Sequence, residues 1–173
     1  MQQIQDTFAD AFGVMFVITD LAGNLVTEPS NPCGLYTATE ASPVARQRCV
    51  QLWSDLANAP SLQPAFVESH LGLLCARGLI KVGSELRAML VVGGIAPAQW
   101  PPTQARIEEI ADYLAMDASS VAAHINEVHG VSTQEQQRIL SFVQRIADII
   151  AHIITERNQL FGKLHDIAEL TKM

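Results

Sequence analysis

A repeat near the C-terminus constrains this chain most. Ile139, Val143, Ile146, Ile150, Ile153, Arg157, Leu160, Leu164 and Ile167 follow one another in alternating steps of four and three, and only Arg157 is not apolar. That spacing lays one seam along an α-helix, and over about four heptads it is the pattern of a coiled coil. Phe142, Ile149 and Ile154 widen the first half, whereas the second narrows to the seam plus Phe161. A wide face can pack on a domain and a partner together; a narrow one suits a two-stranded coiled coil. The spacing predicts a long helix opening at Val131-Ser132-Thr133, with Gln136 completing a capping box from Thr133. It favours a homodimer seam over a helix docked only on its own core.

The remainder divides into short elements. Ile4, Phe8, Ala11 and Phe12 share a helical face that Gly13 ends. VMFVITD and LVTEP, joined through Gly23-Asn24, predict a hairpin. SNPCGLYTATEASP has the composition of a loop. Ser42-Pro43 opens a helix to about Ala59, with Val44, Val50, Leu52, Trp53 and Leu56 as its buried side. PAFVES, LLCARGLIKV and ELRAMLVVGGI are three further strands, the last broken or bulged at Gly93-Gly94. ARIEEIADYLAM and a short helix from Asp117 follow. The expected fold is α+β: a five-stranded antiparallel sheet with an inserted helix, then helices ending in a long C-terminal one.

Composition narrows the function classes. The net charge is −7 and the basic residues are scattered, which disfavours direct nucleic-acid binding. No apolar run is long enough to cross a membrane, and MQQIQDTFADAF lacks the basic start of a signal peptide. A cytoplasmic protein, or a cytoplasmic piece of a longer one, is expected. The 3 cysteines, Cys33, Cys49 and Cys75, form no CxxC pair, so neither a zinc knuckle nor a disulfide framework is indicated.

FVESHLGLLCARGLIKV sets His70 in an apolar run, close to Cys75. Cys49 and His70 with Cys33 or Cys75 could supply soft metal ligands, but no pair is spaced to preform half a site. Glu68 could orient His70 for a Cys–His dyad, yet no nucleophile motif accompanies any cysteine. Gly93-Gly94 is not followed by a phosphate-cradle pattern. His70 is then either a core histidine satisfied by backbone or a pocket donor or acceptor. Asn31, Cys33 and Tyr36 lie where a loop would cover the mouth of the sheet, as turn chemistry or as a lid. Trp53 is expected in the core and Trp100 at a hinge; Met15, Met89 and Met116 fill gaps. His124, His129, His152 and His165 are expected to face solvent.

The segments FADAFGVMFVITDLAGNLVTEPSN, RQRCVQLWSDLA, HLGLLCARGLIKVGSELRAMLVVGG and IEEIADYLAMDASSVAAHINEVHGVS together resemble the PocR sensory domain over about residues 3–155. The resemblance implies a PAS-like ligand-sensing module of prokaryotic regulators. It also implies three cysteine positions, filled here by Tyr36, Cys49 and Ser69, with the adjoining histidine kept as His70. A site needing all three thiols is therefore incomplete.

The expected organisation is a sensory domain over residues 1–131 and a dimerisation and signalling helix over 132–173. The expected function is sensing, not catalysis: a small hydrocarbon-derived molecule bound near Asn31, Cys33, Tyr36, Cys49, His70 and Cys75, with no cofactor. The signal would pass through the C-terminal helix, in a homodimer, to an output domain or protein. The alternative is a metal-, haem- or cluster-binding redox or gas sensor on the same fold.

Overall fold

Two covered faces explain why the strands have so few polar residues. The computed structural model describes residues 1–170. Strands β1 (Met15–Thr19), β2 (Val67–Glu68), β3 (Leu74–Val82) and β4 (Glu85–Ile95) form one antiparallel sheet in the order β1-β4-β3-β2. Phe16, Ile18, Ala76, Ile80, Leu90 and Val92 face α1 (Gln2–Phe12) and α6 (Thr133–Leu170). Met15, Val17, Cys75, Leu79, Met89 and Val91 face α2 (Gly34–Thr39), α3 (Pro43–Asn58), α4 (Gln104–Leu114) and α5 (Ala118–His124). A strand buried on both faces loses the apolar–polar alternation and becomes a continuous apolar run.

The sheet has four strands among the described residues, not the five expected. Residues 25–29 form no ladder: Leu25 bridges to Thr19, Ser30 just beyond bridges to Phe16, and between them Val26 N donates to the Ile18 carbonyl at 2.8 Å. Side chains take the backbone groups a ladder would use. Gln5 Nε2 donates to the Glu28 carbonyl (2.8 Å), Gln2 Oε1 accepts from Glu28 N (3.0 Å), and Thr27 Oγ1 accepts from Ile18 N (2.9 Å). Pro29 has no N–H to give. PAFVES contributes only Val67 and Glu68 to the sheet.

The expected loop contains α2, which buries Leu35, Tyr36 and Thr39. On α3 the buried side is Ala45, Cys49, Trp53, Leu56 and Ala57, while Val44 is exposed. Ser42 caps it, accepting from Ala45 N at 3.2 Å. Gly93-Gly94 forms the expected irregularity: Ala76 pairs with Val92 but Leu74 with Ile95.

α6 is one helix of 38 residues; residues 171–173 of the expected helix lie outside the described residues. Its capping box sits one residue earlier than expected. Ser132 Oγ accepts from Glu135 N, and Glu135 Oε2 accepts from Ser132 N at 2.7 Å. Ile139, Val143, Ile146 and Ile150 are at most 2% exposed against the sheet. The helix backbone approaches Gly78 so closely that a Cβ there would lie 2.5 Å from the Val143 carbonyl oxygen. Gln144 closes the contact, accepting from Leu79 N (2.8 Å) and donating to Leu79 O (2.9 Å). No described helix is long and apolar enough to cross a membrane.

Candidate ligand-binding site

α3 is held over the face of the sheet opposite α6. The side chain of Arg77 donates to the carbonyls of Ala57, Ala59 and Ser61 at 2.7, 2.7 and 2.6 Å, tying the end of α3 and its exit loop to β3. Arg77 was legible only as one charge inside an apolar strand. The turn from Ser69 to Leu73 completes the enclosure. Ser69 N donates to Leu73 O (2.7 Å), Ser69 Oγ accepts from Leu71 N (3.2 Å), and Gly72 takes a positive φ of 73°.

Between these elements lies a cavity of about 30 Å³. Tyr36, Cys49, Trp53, Ser69, His70 and Cys75 line it, with Met15, Val91 and the Gly93-Gly94 bulge. Gly93 keeps it open on one side, since a Cβ there would fall 3.4 Å from Cys75 Cβ. His70 Nε2 stands 3.6 Å from Cys49 Sγ. His70 Nδ1 is buried and has no hydrogen-bond partner. His70 is therefore not the backbone-satisfied core histidine of the blander expectation.

Burial, and secondarily the charge of Arg48, pulls the His70 pKa down from 6.5 to about 4. The imidazole is neutral near pH 7, with one nitrogen a donor and the other an acceptor. Burial pushes the Cys49 thiol up to about 11 and the Cys75 thiol up to about 12. It raises Cys33 and Tyr36 as well. All four groups stay protonated, the opposite of an activated nucleophile.

The structure brings four of the six sequence-derived candidates together: Tyr36, Cys49, His70 and Cys75. The other two lie on the far side of Gly94. Cys33 is buried there, its sulfur 3.2 Å from where a Gly94 Cβ would be. Asn31 is exposed, and its carbonyl accepts from His129 Nε2 at 3.0 Å. That contact leaves His129 half-buried rather than facing solvent, and His124 is also half-buried, 2.6 Å from Glu127. Trp53 is in the core as expected, and Trp100 donates to the Ile125 carbonyl at 2.8 Å. Among the described residues no group of three or more His, Cys, Asp or Glu is placed to hold a metal ion. Cys49 and His70 approach each other, but neither other cysteine completes a ligand set.

The family model described as the sensory domain found in PocR matches residues 1–155. The chain belongs to the PocR sensory-domain family. That membership gives it a sensory, ligand-binding role. The three PocR-like positions marked by the sequence, Tyr36, Cys49 and Ser69, all line the one cavity beside His70. Residues far apart in the chain thus converge on one cavity. No curated protein and no solved structure matches the chain.

Proposed function

We propose that the cavity beside His70 binds a small, weakly polar molecule such as a short diol, acid or aldehyde, and that its occupancy is felt by α6. The observation that carries this reading is the buried Nδ1 without a partner. Such a group costs about 1–3 kcal/mol while unsatisfied, so a ligand hydroxyl or carbonyl that pairs with it gains that much binding. Tyr36 and the two thiols add weak polar contacts in an otherwise apolar lining.

The cavity of about 30 Å³ has room for little more than a water molecule. The structure is then the contracted state. A ligand widens it by displacing the Ser69–Leu73 turn or α2. β3 links this movement to α6: Cys75 faces the cavity, while Gly78 and Leu79 touch Val143 and Gln144. A ligand preferring the wider state shifts the balance between two packings. The chain acts by binding rather than by turnover. The exposed distal part of α6 pairs with a second copy and passes the change to an output domain or protein.

The test is thermal unfolding with a panel of short diols, carboxylic acids and aldehydes, on the natural chain and on His70→Phe. A rise in Tm with at least one compound, lost in the variant, supports the reading. No rise with any compound, or a rise the variant keeps, contradicts it.

A further inference from the structure

The buried cavity has a neighbour on the surface. A cleft of about 540 Å³ between the Glu68–His70 segment and α4 is lined by Glu68, Ser69, His70, Arg106 and Tyr113 among others. Ser69 and His70 line both spaces, so at this point one residue's thickness separates them. Elsewhere the cavity is lined by β1, β3, β4 and α3, which the sheet and the Arg77 hydrogen bonds hold in place, and by Tyr36 of α2 and the Leu71–Leu73 turn, whose side chains are buried.

The cleft wall is held more lightly. The Tyr113 side chain is 46% exposed, its ring centroid 6.1 Å from that of His70. Arg48 lies over that ring at 4.4 Å from its centroid and has no carboxylate partner among the described residues. Across the cleft Arg106 reaches Glu68 at 3.4 Å, an exposed pair that exposure makes weak. The backbone of the wall is fixed by β2 and the Ser69–Leu73 turn, but the His70 ring has Cys49 as its one hydrogen-bond contact and can swing by giving up that contact.

The geometry points to the α4-side cleft as the entrance of the cavity, with His70 as its door and Tyr113, backed by Arg48, as its latch. This deepens the proposed binding of a small molecule and rests on that reading, for it says by which way the molecule arrives. The latch residues then govern the rates of entry and exit more than the affinity. Tyr113 lines the cleft but not the cavity.

Two of the three buried cysteines report on this route. Cys49 lies directly behind His70, whereas Cys33 is buried outside the cavity. Neutral methyl methanethiosulfonate converts a reachable thiol to a mixed disulfide, with methanesulfinate leaving, and mass spectrometry of the peptides gives a rate for each cysteine. Tyr113→Ala is expected to speed labelling of Cys49 by about tenfold or more and to leave Cys33 unchanged, because only the local opening is eased. An unchanged Cys49 rate overturns the proposal. An equal gain at Cys33 marks loosening of the whole fold, and Tyr113→Trp then decides. Slower Cys49 labelling in that bulkier variant supports the route, and an unchanged rate overturns it. The reagent needs no natural ligand, so a wrong entrance and a wrong ligand reading fail in different experiments.

Discussion

The two halves of α6 carry the same repeat and meet opposite fates. From Ile139 to Ile150 the seam is buried on the protein's own sheet. From Ile153 onward it is exposed: Ile153 at 40%, Leu160 at 60%, Leu164 at 61% and Ile167 at 57%. A heptad pattern states that one side of a helix is apolar; it does not state what covers that side. The wider first half, with Phe142 and Ile154 partly buried against the same cluster, is the half with a sheet beneath it. The difference is what the proposed transmission requires, a root packed on the domain and an exposed extension.

The largest effect that separates the halves is cavity creation. Ile146→Ala should lower unfolding stability by about 2–5 kcal/mol, while Leu160→Ala, measured at low protein concentration, should stay within about 0.5 kcal/mol. Equal losses in urea titrations would break the comparison.

Acid supplies the next effect. The folded His70 has a pKa of about 4 against an ordinary 6.5, so between those values the unfolded chain binds more protons. Stability should therefore fall as pH drops from about 6.5 through 4, by up to about 3 kcal/mol. Most of that fall should vanish in His70→Gln and persist in Leu160→Ala, followed by denaturant midpoints across the window. His129, lowered mainly by its own burial, leaves a remainder in the same direction.

Smaller still is the clamp at the root. Gln144→Ala strands the Leu79 N–H and carbonyl and should cost about 1–2 kcal/mol, whereas Gln159→Ala on the free half should cost nothing measurable. The smallest effect sharpens the distal half. Arg157→Leu removes the one charge in the seam and should strengthen self-association by roughly fivefold, seen by analytical ultracentrifugation. Unchanged association would argue against a paired seam.

The order of elements was legible because strand runs, caps and turn glycines are local signals: Ser42-Pro43, Gly13 and Gly93-Gly94 all act where the sequence places them. The second strand was not, because Gln2, Gln5 and Thr27 act across the fold on the backbone at Glu28 and Ile18. α2 was hidden by hydroxyl residues suited to a turn, although Leu35 and Thr39 already stood one helical turn apart. Of the site, His70 and Cys49 were legible as polar atoms in apolar surroundings. Ser69 was visible only through the family pattern, and Arg77 and Tyr113 act through tertiary contacts that no local spacing encodes.

The central claim is that a buried, unpartnered nitrogen of His70 awaits a ligand and that the rooted half of α6 feels its arrival. ¹⁵N NMR of the histidine ring, recorded with and without each compound of the diol, acid and aldehyde panel, tests it most directly. The account predicts that at least one compound moves the His70 Nδ1 resonance, and with it the backbone amides of Val143 and Gln144. A His70 Nδ1 already hydrogen-bonded in the free protein, or one that no compound moves, would contradict it.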